Sequence, residues 1–299
     1  MEQQAQALTY FETFANDWQS KATDQSYNAI DNRHNAVMSV INEMRNINTF
    51  LDIGCGTGQL VIQVARKQIE AHGIDFANEM INNCEKNKIK SCVEAKFECI
   101  SFFDATLKKN YYDVISAQGF IEYITLDQLE HFFEMGWAAL KEGGSLVVGS
   151  RNRLFNLHSL NEFTNIEIEI GTILNLIREA SILHMASTHA DAFSRLMSLE
   201  RIDPQPDRHP LTGIKVDTRY QFSPADLIYR ARRYGYQPKS IFPVHFHALP
   251  VNSKNVSQLT PLHNHLAQMM SEERIRDHRL VPYSSSFVLE LTKCKKGFV

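Results

Sequence analysis

The sequence predicts an α/β protein, a doubly wound sheet of seven strands flanked by helices, on three observations. Short β-rich runs alternate with helical patterns along most of the chain. A glycine-rich loop, Gly54-Cys55-Gly56-Thr57-Gly58, joins the first clear run to a helix. An acid, Asp75, closes the next run. The 299 residues are 43% hydrophobic, enough for one large domain or two smaller ones with a substantial core. With 31 basic and 34 acidic residues the net charge is −3, so no global field favours a polyanion and nucleic-acid binding would need a local basic patch. No apolar run approaches the roughly 18 residues of a membrane span, and the N-terminus lacks the basic start and apolar stretch of a signal peptide. None of Cys55, Cys84, Cys92, Cys99 and Cys294 stands at C-x-x-C spacing, so neither a disulfide framework nor a structural zinc site is expected. A cytoplasmic protein is the expectation.

Taken in order, residues 5–45 read as helical, with Tyr10, Phe11, Phe14 and Trp18 forming an amphipathic stripe. Strands are predicted over 49–53, 70–74, 96–100, 112–117 and 145–149. Between the last two, Leu126, Leu129, Phe132, Phe133, Trp137 and Leu140 recur at helical spacing. That helix is expected to stop at Lys141-Glu142-Gly143-Gly144, where glycine permits a left-handed cap. Residues 151–218 break the rhythm, with a helical pattern over 172–179 and a turn-rich stretch over 203–210. They read as an insertion, because the rhythm resumes at Ser223-Pro224, a helix start with serine at the cap and proline in the first turn. Strands at about 239–244 and 285–292 complete seven. The chain therefore divides into N-terminal helices over 1–45, a core over 46–150 and 219–299, and an inserted cap over 151–218.

The segment Leu51-Asp52-Ile53-Gly54-Cys55-Gly56-Thr57-Gly58-Gln59-Leu60 carries the chemistry. Glycines at alternate positions let the backbone turn tightly and approach a ligand that a Cβ would exclude, and the helix beyond presents free N–H groups. A carboxylate at Asp75 can accept both hydroxyl protons of a ribose. The nicotinamide pattern G-x-G-x-x-G is not met: its third glycine would fall at Gln59 or Val61.

Residues 51–60 resemble motif I of the class I S-adenosylmethionine-dependent methyltransferases, a Rossmann-like family. Gly73-Ile74-Asp75-Phe76-Ala77-Asn78-Glu79-Met80-Ile81 resembles their second motif, and Leu140-Lys141-Glu142-Gly143-Gly144-Ser145-Leu146-Val147-Val148 their strand-five motif. The nearest flavour is that of the ubiquinone and menaquinone biosynthesis methyltransferases and related small-molecule enzymes. The resemblance implies five parallel strands, an antiparallel last strand and S-adenosylmethionine as cofactor. By it, Asp52 opens the glycine motif, and Gly54, Gly56 and Gly58 pass under the methionine part. Asp75 holds the ribose hydroxyls, and Phe76 and Met80 flank the adenine. Ser101-Phe102 stand where the family commonly has Asp-Ala at the adenine amine. Gln118 faces the methionine end, and Arg33 either pairs with the cofactor carboxylate or is a surface cation.

The acceptor is narrowed by what the loop Ser116-Ala117-Gln118-Gly119-Phe120-Ile121-Glu122-Tyr123 lacks. It has no Asn/Asp-Pro-Pro-Tyr, no second glutamate of the arginine-methylating kind and no metal-binding aspartate of the catechol kind. A small-molecule acceptor methylated on oxygen, in preference to nitrogen, without a metal and by alignment is the resulting expectation. His245 and His247, at the carboxyl edge after the sixth strand, are the candidate bases, against the alternative of loop histidines that only hydrogen-bond. His158 is a further candidate base. The pair His263/His265 invites a metal reading that lacks a carboxylate at fixed spacing. Arg151 and Arg153 are candidate anion forks or solvated cations. Two rival functions stay open: an RNA or protein methyltransferase, which would need a basic surface around Arg151, Arg153 and Arg195, and a silent relative that binds cofactor without turnover.

Overall fold

A computed structural model describes residues 2–23, 29–202, 205–207, 219–249 and 259–294. Seven strands form one sheet: β1 (Thr49–Ile53), β2 (Glu70–Asp75), β3 (Lys96–Cys99), β4 (Tyr112–Gln118), β5 (Leu140–Arg151), β8 (Tyr236–Phe246) and β9 (Ser284–Lys293). Their order is β3-β2-β1-β4-β5-β9-β8. The first five are parallel, and β9 runs antiparallel to both neighbours. The expected doubly wound sheet with an antiparallel last strand is therefore present. Two short strands, β6 (Gln205–Asp207) and β7 (Arg219–Gln221), form a separate antiparallel ribbon that the sequence pattern does not predict.

Strand and helix faces follow the side-chain periods. In β1, Phe50 points to one side while Leu51 and Ile53 point to the other. Helices α2 (Ala29–Glu43), α3 (Gln59–Ala65) and α4 (Asn78–Ser91) cover the Phe50 face. Helices α5 (Leu126–Ala139) and α10 (Pro224–Arg232), with the inserted cap, cover the other around Phe132, Phe133, Phe222 and Phe287. Helix α5 starts with a capping box, Thr125 accepting from the Gln128 amide and Gln128 returning the bond. Its end differs from expectation. It stops at Ala139, and Leu140 already pairs with Tyr112, so Lys141–Gly144 bulge out before Ser145 pairs with Val114. The positive φ of Gly143, +75°, serves that bulge rather than a helix cap.

The segment after β5 forms α6 (Asn156–Ser159), α7 (Glu162–Glu169), α8 (Ile173–Met185) and α9 (His189–Leu196). The predicted pattern over 172–179 is the first half of α8. Of the turn-rich stretch 203–210, residues 203–204 and 208–210 lie outside the described residues. The segment is tied down by buried ions as well as by Leu154, Leu176 and Leu183 in the core. Arg153 is 1% exposed and grips Glu167 with Nε–Oε1 2.9 Å and Nη2–Oε2 2.8 Å, and Asn156 joins Glu167 to Gln221. Glu179 on α8 accepts from the Ala225 amide at 2.8 Å, and Ser223 accepts from the Asp226 amide, so the N-terminus of α10 is capped twice.

Burial, reinforced by the Asp226 charge, lifts the Glu179 carboxyl to about 7 against the opposing bonds from Ala225 and Ser223. A folded pKa above the unfolded one means that ionisation costs stability as pH rises through neutrality. Glu179→Gln keeps an acceptor for Ala225 and carries no charge. Thermal unfolding is expected to show this variant about 2–6 °C more stable than the parent at pH 8.5 and level with it at pH 5. Equal melting temperatures at both pH values would contradict this account.

Candidate active site

The site lies where the strand order reverses, between β1 and β4, at their carboxyl ends. The glycine loop after β1 is pinned there by main-chain bonds. The amides of Gly54 and Cys55 donate to the Ile74 carbonyl at 2.9 and 3.0 Å. The Gly56 amide donates to Asp75 Oδ2 at 3.0 Å, while Asp75 Oδ1 takes the Ala77 amide at 3.0 Å. From α4, the Cys84 thiol donates to the Gly56 carbonyl and Asn87 Nδ2 to the Thr57 carbonyl. Gly56 and Gly58 both have positive φ, but for different ends. A Cβ on Gly58 would come within 2.9 Å of Phe97 Cζ and 3.0 Å of Cys84 Sγ, whereas one on Gly56 would meet nothing within 4 Å. Gly58 serves the packing of the loop on the core; Gly56 keeps its face open.

Arg33, Asp52, Gly54, Gly56, Asp75, Phe76, Met80, Ser101, Phe102 and Gln118 all line one cavity beside this loop. Gly58 is not among the lining residues; it shapes the loop from behind. Among the described residues, nothing hydrogen-bonds to the buried Asp52 Oδ1, Gln118 Oε1, Arg33 Nε or His34 Nδ1 of this lining. Such atoms are costly unless a ligand satisfies them. Gln118 is oriented by its Nε2, which donates to the Val147 carbonyl at 2.9 Å and to Ser116 Oγ at 3.2 Å. Burial lifts Asp52 to about 7, with the Ser116 hydroxyl opposing and the Asp75 charge adding. Burial also lifts Asp75 to about 6, against the amides of Ala77 and Gly56.

The far half of the cavity comes from parts that sequence reasoning does not assign to the site. Helix α1 (Glu2–Thr23) contributes Gln4, Ala7, Phe11 and Trp18, and α2 contributes Ile30 and His34. Phe103, Phe120, Glu122 and Tyr123 complete it. Phe11 meets Phe76 and Tyr123 edge-on at 6.1 and 5.5 Å between centroids. The aromatic stripe on α1 is the one signal of this in the sequence; Phe14, one of its members, is instead largely exposed. Glu12 on α1 accepts from the amides of Asn78 and Glu79, so α1 caps the start of α4 with a carboxylate. Arg33 Nη2 reaches Glu122 Oε1 at 3.4 Å and Ser286 Oγ at 3.1 Å.

His245 and His247 are not among the residues lining this cavity. At the end of β8, His245 Nδ1 lies 2.7 Å from Ser285 Oγ and 3.3 Å from His247 Nε2. The His247 ring packs on Phe155 and on His263 of α11 (Thr260–Glu273), at 4.5 and 5.3 Å between centroids. His158 packs beside Phe155 and Tyr283, and His265 is exposed. Among the described residues, no three His, Cys, Asp or Glu side chains gather in a geometry that would hold a metal ion. Arg153 is committed to Glu167, and Arg195 to Asp191 at 2.8 Å.

Comparison with known proteins agrees with this geometry. Residues 50–144 match the methyltransferase domain family. The ubiquinone biosynthesis O-methyltransferase of Hydrogenovibrio crunogenus (strain DSM 25203 / XCL-2) is 22% identical over 198 residues, 64% of this chain and 78% of that protein. Magnesium protoporphyrin IX methyltransferase from Synechocystis PCC 6803, solved with bound S-adenosylhomocysteine, superposes over 97% of this chain and 99% of its own, with TM-score 0.56 and 11% identity. The 1,6-didemethyltoxoflavin-N1-methyltransferase of Burkholderia thailandensis does so over 98% and 90%, with TM-score 0.59 and 10% identity. The domain match covers residues 50–144, about a third of the chain, and the superpositions show that the chain shares the fold of these enzymes. The Synechocystis enzyme was solved with S-adenosylhomocysteine and with S-adenosylmethionine bound; here the open Gly56 face and the unpartnered acceptors on Asp52 and Gln118 offer room and polar partners to a ligand of that kind.

Three outcomes follow for purified protein. Asp75→Ala is expected to weaken S-adenosylhomocysteine binding by about 1–3 kcal/mol in calorimetry, the cost of stranding buried hydroxyls; unchanged affinity would sink the ribose assignment. Because Asp52 and Asp75 sit at about 7 and 6, cofactor affinity should fall as pH drops from 8 to 5.5, while the unliganded chain gains stability from the same two groups. Parallel trends would refute that linkage. Finally, Gly58→Ala should lower the melting temperature of the unliganded protein more than Gly56→Ala does.

Proposed function

We propose that the chain transfers a methyl group from S-adenosylmethionine to an oxygen, in preference to a nitrogen, of a small-molecule metabolite, without a metal ion. The observation that carries this reading is the continuity of one cavity from the cofactor residues into an aromatic chamber walled by α1, α2 and the turn after β4. Such a chamber suits a compact acceptor and gives no groove for a polymer. The similarity to the Hydrogenovibrio O-methyltransferase supports oxygen as the receiving atom, and that to the toxoflavin N1-methyltransferase supports nitrogen.

The bound cofactor supplies an activated methyl on a sulfonium. The residues of this chain hold the nucleophile in line with it and exclude water. Phe103 and Phe120 stack at 6.2 Å between centroids, and Tyr123 and Phe11 line the same chamber. The N-terminal helices serve as the lid and the insertion as the cap that backs the sheet. Proximity supplies most of the acceleration. The imidazoles of His245 and His247 are hydrogen-bonded to Ser285 and to each other and are not among the residues lining this chamber.

The test is a turnover screen with methyl-labelled S-adenosylmethionine against hydroxylated and aminated small metabolites, with and without a chelator. Expected are methyl ethers or esters at chelator-independent rates. Methylamine products would overturn the oxygen assignment, and loss of turnover with chelator would overturn metal independence.

A further inference from the structure

Two side chains that do not line the cavity are bonded to one residue that does. Thr57, 4% exposed, stands in the glycine loop and lines the cavity, whereas Gln19 of α1 and Asn87 of α4 are not among its lining residues. Asn87 Nδ2 donates to the Thr57 carbonyl at 2.9 Å and to Gln19 Oε1 at 2.9 Å, and Gln19 Nε2 returns a bond to Asn87 Oδ1 at 3.4 Å. A second route leaves the same loop residue. The Thr57 hydroxyl donates to Gln59 Oε1 at 2.7 Å, and Gln59 Nε2 donates to Gln19 Oε1 at 3.3 Å. The carbonyl and the hydroxyl of Thr57 are thus each tied, through one intervening amide, to a single oxygen on the N-terminal helix.

Thr57 stands between Gly56 and Gly58, both at positive φ. Glycine backbone has the widest conformational freedom, so the bonds made by Thr57 weigh heavily on where the loop lies. The amide of Asn87 has two protons and divides them between the loop and α1. When Gln19 Oε1 is removed, Asn87 and Gln59 each lose an acceptor, and both half-buried side chains can turn toward water and away from Thr57. Glu12 makes a useful contrast on the same helix. It also fastens α1, but its bonds end on the amides of Asn78 and Glu79 at the start of α4.

We propose that Gln19 and Asn87 are positioning residues for the glycine loop, so that docking of α1 sets the cofactor seat as well as covering it. This rests on the cofactor reading and deepens it. Neither side chain lines the cavity, so their influence on a bound ligand passes through Thr57. Because the two act on the same residue and bond to each other, their effects are coupled rather than independent.

Calorimetric titration of the full chain with S-adenosylhomocysteine tests this, with the melting temperature of each unliganded variant as a check on folding. Gln19→Met, which keeps the length and removes the acceptor, and Asn87→Ala should each lose about fivefold in affinity, the weight of one net hydrogen bond. Gln19→Glu, which keeps an acceptor oxygen, should recover most of the loss. The double variant should lose clearly less than the product of the two single losses, and Glu12→Gln should stay within twofold of the parent. Unchanged affinity in Gln19→Met, independent losses in the double variant, or an equal loss in Glu12→Gln would overturn the positioning role and leave α1 as a plain cover, with the cofactor reading intact. Failure of the parent to bind S-adenosylhomocysteine would instead bring down the cofactor reading, and this proposal with it.

Discussion

The carboxylate of Asp75 is the point on which the site turns. Its two oxygens take one amide from the loop after β1 and one from the start of α4, at 3.0 Å each. Two loops that belong to different strands are thereby fixed to each other through a single buried side chain. The bonds oppose the desolvation cost without cancelling it, so the carboxyl stays at about 6 rather than at its usual value. The same carboxylate lines the cavity. Its position comes from holding the loop, and its raised pKa from being under-compensated there. Gly56 and Gly58, one on the open side and one on the packed side, describe the two faces of this arrangement.

Much of this arrangement is legible in the amino-acid sequence alone. Buried parallel strands read as compact apolar runs bounded by turns, and β1 begins and ends where its run does, over Thr49–Ile53. The loop and Asp75 are legible because alternating glycines and an acid at a strand end have few other uses. What stays hidden depends on tertiary contact. Nothing local in Ala29–Glu43 tells which turn of α2 meets a cavity, so His34 looks like any helical histidine. The stripe Tyr10, Phe11, Phe14 and Trp18 announces an amphipathic helix, yet Phe11 and Trp18 face the cavity and Phe14 faces out. Gly143 misleads in a plain way: a positive φ is needed there, and a strand bulge uses it instead of a helix end.

Arg153 shows the same limit from the other side. Sequence places it at the ligand edge, which is correct in position, but its guanidinium is committed bidentately to Glu167 in the cap. With Thr172 and Asn156 also bonded to Glu167, the network fastens the hinge of the insertion to the end of β5. Breaking one partner of such a buried pair strands the other charge. This segment is thus anchored to the sheet by a polar knot, beside Leu154, Leu176 and Leu183, which are buried in the same core.

Helix α1 roofs the cavity, held at its outer edge by polar bonds, Glu12 to the amides of α4 and Gln19 to Asn87 and Gln59, and inside by Leu8, Phe11 and Trp18, which pack half-buried against a small cluster of Ala15, Ala77 and Met80. Its fully buried side chains in the described part are only Ala7 and Ala15. A single helix resting on one small apolar cluster opens at less free energy than the sheet needs to unfold, so the cavity can be uncovered while the core beneath it stays folded.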